Sequence, residues 1–220
     1  MVTEFFLKDP PPYVIDWLHE NYRRLYDAEV EYIESTGTQW IDTGLHATPT
    51  STILIDFVGK YDGNYAVCGA SNGSAYNNGE IAIFWNNTQF DFVYPTGRNS
   101  STYISKGSYS QGTRYTITYK SYSATVNGSI FLTSAWSSEY VADRTMFIGA
   151  ANRGTANKYP GRGLYYGFKM WNGDALVGDF IPVRFTNELG QSEGAMYDKV
   201  TRQLFHNAGT GSFVIGPDKH

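Results

Sequence analysis

One cysteine, Cys68, among 220 residues has no partner for an intrachain disulfide, so the chain must fold on packing alone. Charge is scarce too. Lys, Arg, Asp and Glu make up 17% of the chain, against about 25% in an average soluble domain, and 17 basic against 21 acidic residues leave a formal charge of −4. That balance excludes an electrostatic nucleic-acid binder. No apolar run approaches the roughly 18 residues a bilayer-spanning helix needs, so no membrane insertion is expected. The N-terminal Met1-Val2-Thr3-Glu4-Phe5-Phe6-Leu7-Lys8-Asp9 lacks the basic start and long apolar stretch of a secretory signal, which points to a protein made and folded in a cytoplasm. His19, His46, His206 and His220 share no ligand spacing with one another or with Cys68, and the aspartates form no Asp-x-Asp-x-Asp loop. No metal and no cofactor are expected.

Aromatic residues fill part of the gap left by charge, with 13 Phe, 5 Trp and 18 Tyr. Two regimes follow one another along the chain. After Pro10-Pro11-Pro12, which fixes an extended entry, Ile15, Leu18, Tyr22 and Leu25 recur at steps of 3, 4 and 3, the spacing of one helix face. Residues 1–28 are therefore read as an arm with a short amphipathic helix. Its stripe either packs on its own domain or serves as a seam between identical chains, an attachment or oligomerisation element.

From Glu29 onward the helical period gives way to short runs rich in Thr, Ile, Val, Tyr and Phe between clusters of Gly, Asn, Asp and Ser. Strands are predicted at 30–34, 39–43, 52–59, 64–70, 80–85, 89–94, 113–120, 122–127, 129–133, 145–150, 162–171, 175–184, 194–198 and 202–206. Ile53, Ile55 and Phe57 share one strand face, as do Tyr115, Ile117 and Tyr119. Asn127-Gly128 and Asn172-Gly173 supply the positive φ of tight hairpins, with Asp62-Gly63 a weaker case. No amphipathic helices separate the strands, so the fold class is all-β, an antiparallel sandwich over residues 29–220 with a short N-terminal helix before it.

Particular residues at both ends of this region carry a resemblance. Glu31-Tyr32-Ile33-Glu34-Ser35-Thr36-Gly37-Thr38-Gln39-Trp40-Ile41-Asp42-Thr43-Gly44 resembles the opening of laminin-G-like, concanavalin A-like domains found in bacteriophage tail and fibre proteins and in gut-bacterial surface proteins. Asp179-Phe180-Ile181-Pro182-Val183-Arg184, Gly194-Ala195-Met196-Tyr197-Asp198-Lys199-Val200 and Phe205-His206-Asn207-Ala208-Gly209-Thr210-Gly211-Ser212-Phe213 resemble its closing strands. The resemblance spans roughly 30–219 and implies a jelly roll whose first strands, 30–34 or 39–43, lie beside 177–184. The alternation of Ile181 and Val183 across Pro182 suits a sheet edge or bulge. Together with the N-terminal sequence and the separate segment 1–28, the resemblance also implies a lectin-like binding domain in a virion, made in a host bacterial cytoplasm.

Catalysis has one hint. Concanavalin-like glucanases place two carboxylates on one strand face, about 5–5.5 Å apart, and Glu29-Val30-Glu31-Tyr32-Ile33-Glu34 has a related spacing. Here the run opens the domain and belongs to the scaffold motif, so the chain is read as a non-enzyme. The loops instead combine aromatics or Arg with Asn and Ser, as sugar-binding and protein-recognition surfaces do. The candidate ligand-binding residues are Trp85, Tyr94, Arg98, Trp136, Tyr140, Arg153, Asn157 and Tyr159. Trp40 and Trp171 are read as core or sheet-covering; Trp85, at a strand end, fits either role. Trp136 is expected to be partly exposed. Arg153 and Arg162 could equally order a long loop. The expected partners are a host-surface glycan or other virion proteins, in a homo-oligomer for which fibre precedent favours a trimer. A virion scaffold that binds no sugar, and a lectin on a bacterial cell surface, are the alternatives.

Overall fold

The computed structural model describes residues 25–72, 79–140, 143–154 and 158–219. The predicted helix face at Ile15, Leu18 and Tyr22 lies outside them. Within them the helical reading stops short of Ala28. Leu25 is half exposed, and Ala28–Glu29 already form a strand.

Eighteen strands occur among the described residues. In order they are β1 (Ala28–Glu29), β2 (Ile33–Thr36), β3 (Ile41–Asp42), β4 (Ser51–Gly59), β5 (Asn64–Ser71), β6 (Glu80–Asn86), β7 (Gln89–Gly97), β8 (Ser100–Lys106) and β9 (Arg114–Lys120). There follow β10 (Ser123–Val126), β11 (Ser129–Leu132), β12 (Phe147–Ile148), β13 (Ala151–Asn152), β14 (Arg162–Asn172), β15 (Ala175–Thr186), β16 (Ser192–Asp198), β17 (Gln203–Phe205) and β18 (Val214–Ile215). They build two sheets. The larger runs β11-β10-β9-β4-β14-β15-β16-β17, with β1 on β15 and β18 joined through β2 to β14. The smaller runs β3-β12-β5-β6-β7-β8, with β13 parallel to β5. The other pairings are antiparallel, and the two inner faces enclose one core, so this is a β-sandwich.

The strand period explains the core directly. Ile53, Ile55 and Phe57 of β4 lie opposite Tyr119, Ile117 and Tyr115 of β9, so two triplets legible in the sequence are cross-strand neighbours on the buried face. Burial of each such side chain contributes about 1.5–3 kcal/mol. Opposite them, Ile81, Ile83 and Trp85 of β6 and Phe90, Phe92 and Tyr94 of β7 complete the layer.

The turns follow their residues with one variation. Asn127 and Gly128 both take positive φ, 48° and 79°, between β10 and β11. At the β14–β15 hairpin Asn172 ends the strand opposite Ala175, and Gly173, with φ 60°, takes the first turn position. The predicted strand 145–150 is divided, because Gly149, at φ 83°, turns the chain between β12 and β13. The implied closure of 30–34 or 39–43 against 177–184 holds only at Val30, whose N–H donates to the Pro182 carbonyl at 3.1 Å: the strand beside Val183 and Arg184 is Ala28–Glu29, while β2 pairs with β14 and β18 and β3 with β12. Pro182 thus turns its donor-less nitrogen side towards a two-residue strand, where a missing ladder bond costs least.

Candidate functional site

The smaller sheet presents two different faces. Along β6, the core residues Ile81, Ile83 and Trp85 alternate with Glu80, Ala82, Phe84 and Asn86 on the outer side. Along β7, Phe90, Phe92 and Tyr94 point inward while Asp91 and Val93 point out. Ala66, Ala82, Phe84, Val93 and Ala151 form a second apolar cluster on this outer face, against which Tyr159 packs. The members of this cluster are themselves buried, at 6% exposure or less, so it floors the outer face beneath Tyr159.

A pocket of about 290 Å³ opens on that patch. Phe84, Val93, Tyr103 and Tyr159 give it apolar and aromatic walls, and Asn64, Asn86, Asp91 and Arg153 give it polar groups. The Phe84 and Tyr159 rings meet edge to face, with centroids 5.8 Å apart. The Arg153 guanidinium lies 5.2 Å from the Phe84 centroid and 4.9 Å from that of Tyr159, locking both rings by cation–π contact. Tyr103, 55% exposed, stands on β8 opposite Val93. A neighbouring depression of about 380 Å³ shares Asn64 and Tyr159 and is bounded by Asp62, Gly63, Pro160 and Arg162. Tyr159 adopts φ 48°, an unfavourable region for an aromatic residue, and its carbonyl accepts from the Ala66 N–H at 2.8 Å. The ridge between the depressions is therefore tied to β5.

Charge in the pocket is set by two carboxylates. Glu80, fully buried, takes both arms of Arg153: Nε donates to Oε1 at 2.9 Å and a terminal nitrogen to Oε2 at 2.7 Å. Burial pushes the Glu80 carboxyl up, and Arg153 pulls it back only in part. Asp91 is 8% exposed; its Oδ2 accepts from Asn86 Nδ2 at 3.2 Å, and its buried Oδ1 has no donor.

Of the residues expected to touch a ligand, Arg153 and Tyr159 line this pocket. Asn157 lies outside the described residues. Arg98 is exposed in the β7–β8 turn, away from the pocket lining, where its carbonyl accepts from Asn72 Nδ2. Four expectations are corrected. Trp85 is fully buried against Phe57 and Phe90, and Gly59 makes room for it: a Cβ there would stand 2.7 Å from the indole. Trp136, expected near the surface, is 4% exposed, with its ring 5.0 Å from that of Tyr119 and its backbone N–H held by Ser121 Oγ at 3.0 Å. Tyr140 is 2% exposed and belongs to the same core, where burial pushes its hydroxyl pKa up. Tyr94 points inward and donates to Ser134 Oγ at 3.4 Å. Loops rich in Asn and Ser surround these rings, but the rings themselves fold beneath them.

Phe84, Asp91, Val93, Asn64, Asn86 and Tyr103 were not singled out from the sequence. A signal was available: Phe84 continues an unbroken apolar run in β6, and Asp91 stands alone between Phe90 and Phe92. An apolar residue and a lone acid on the outward register are the marks of a covered or binding face. Of the carboxylates in the glucanase-like spacing, Glu34 is buried and ion-paired with Lys60 at 2.6 Å, and Glu29 sits in β1 against β15.

The sandwich has known counterparts. The CBM40 module of the Ruminococcus gnavus IT-sialidase, solved with α2,3-sialyllactose, superposes with a TM-score of 0.52 at 14% identity, covering 64% of this chain and 89% of the module. The likeness is one of fold, an antiparallel β-sandwich. A candidate carbohydrate-binding protein from Bacteroides ovatus matches with a TM-score of 0.59 at 11% identity, over 87% of this chain and 61% of that one. The NanB sialidase of Streptococcus pneumoniae, as its K499G mutant, matches with a TM-score of 0.50 at 12% identity, over 88% of this chain and 40% of the sialidase. No family model and no curated protein matches the chain.

Proposed function

We propose that this chain is a non-catalytic glycan-binding protein whose site is the outer face of the smaller sheet. The pocket's chemistry carries the reading. A sugar ring needs an apolar platform for its face and planar amides or carboxylates for its hydroxyl rim, and Phe84, Tyr159 and Tyr103 stand beside Asn64, Asn86 and Asp91. The sialidase-associated module solved with sialyllactose supports the reading by shared architecture. Its ligand is its own.

The setting we propose is a bacteriophage virion, as a fibre or receptor-binding component that attaches and oligomerises through residues 1–28, with a trimer as the leading symmetry. The end motifs support this, and multivalent display would strengthen weak single-site sugar contacts. A glycan array tests the binding reading: retention of a defined sugar set by the wild type, reduced by Tyr103→Ala, is expected. Silence across the array, with tight binding to a capsid or tail subunit, would instead favour a scaffold protein that binds no sugar. Light scattering of the full chain and of a deletion of residues 1–28 tests assembly, since a monomer in both cases would refute it.

A further inference from the structure

The two charged groups that line the proposed sugar pocket, Arg153 and Asp91, are not matched alike. Arg153, the cation beside Phe84 and Tyr159, is already matched by Glu80 through two hydrogen bonds. Asp91 has no such partner among the described residues. A carboxylate offers about four acceptor positions, and at Asp91 one of them is filled, by Asn86 Nδ2. Its Oδ1 is closed from solvent and accepts nothing among the described residues. Arg153 is held by Glu80 from behind the lining, so among the described residues the Asp91 carboxylate is the charge the pocket presents without an ion-pair partner. In the adjoining depression Arg162 and Asp62 stand together, so that side adds no excess of positive charge.

A buried acceptor left without a donor costs about 1–3 kcal/mol, more when charged, and an entering hydroxyl group removes that cost. An entering carboxylate or sulfate brings no donor and adds repulsion in a poorly screened site. A sugar hydroxyl reaches Oδ1 once the carboxyl turns about its soft Cβ–Cγ bond, a turn that gives up the Asn86 contact to Oδ2. Resting on the glycan-binding reading, the geometry points to a neutral sugar as the occupant. Asp91 accepts from the hydroxyls of an uncharged ring seated on Phe84 and Tyr159, and it sets specificity against sialylated and other acidic sugars. In this the chain departs from the sialyllactose-bound module whose fold it shares.

The test is an array of glycan pairs that share a core and differ only in a terminal sialic acid, followed by calorimetry on the best pair with wild type and Asp91→Asn. Wild type is expected to hold the neutral member at least about tenfold more tightly. Asp91→Asn is expected to lose about tenfold or more for that member, the worth of one charged hydrogen bond, while melting at or above the wild-type temperature. A wild type that prefers the sialylated members, or treats both alike, overturns the inference and leaves glycan binding standing. Unchanged affinity in folded Asp91→Asn overturns it too. A folded wild type that binds neither member of any pair defeats the glycan reading itself, and the inference with it. The wild-type comparison holds even if the variant fails to fold.

Discussion

Arg153 grips Glu80 with two parallel hydrogen bonds, at 2.9 and 2.7 Å, on the outer side of β6, where neither side chain has more than marginal contact with solvent. The pair fixes Arg153 over the rings that floor the pocket and so joins stability to the shape of the site. Removing one member leaves a buried charge with no match.

Arg153→Met is therefore expected to cost about 3–5 kcal/mol in urea unfolding, since Glu80 loses both of its donors at a site where burial already pushes its carboxyl pKa up. Pairing it with Glu80→Leu should recover most of that loss. A single variant as stable as the wild type would show that the pair is not the constraint described.

Trp136→Ala should destabilise the fold by about 3–5 kcal/mol, because a buried indole packed on Tyr119 leaves a cavity when removed. Thermal and urea melts measure it. Tyr103→Ala, at an exposed position, should change stability by no more than about 0.5 kcal/mol while weakening sugar binding.

Asp198 governs the acid limb. Burial alone would raise its carboxyl pKa, but donors from Asp179 N, Thr201 Oγ1, Thr201 N and Val200 N outweigh burial and hold it below the ordinary range. A folded-state value below the unfolded one gives stability that is present above about pH 4 and lost as pH falls through the folded value. Asp198→Asn turns an amide group towards backbone donors, so it should cost about 2–4 kcal/mol at neutral pH and flatten the decline in acid. Urea midpoints across pH 2–7 check both. An acid limb unchanged in the variant would assign it to other carboxylates.

Most of the sandwich was legible because its strands keep period two with one wet face. Ile53, Ile55 and Phe57, and Tyr115, Ile117 and Tyr119, declared their inward register before any partner was known. β8 was not legible. Ser100–Lys106 forms an edge strand with no fully buried residue, so nothing in Ser-Ser-Thr-Tyr-Ile-Ser-Lys alternates strongly enough to mark it. Of the residues that line the pocket, Arg153 and Tyr159 are the two that the sequence brings forward. Trp136 and Tyr140 follow polar loop residues, and their descent into the core is set by distant strands that local composition does not register. Asp91 and Phe84 escaped notice because their register matters only once β6 and β7 are known to turn one face away from the core.

The most direct test of the account is backbone amide chemical-shift mapping of the full chain titrated with the strongest array glycan. Perturbations are expected to gather at Asn64, Phe84, Asn86, Asp91, Tyr103 and Arg153 on the outer face of the smaller sheet. Perturbations confined to the β7–β8 turn at Arg98, or to the larger sheet, would contradict it.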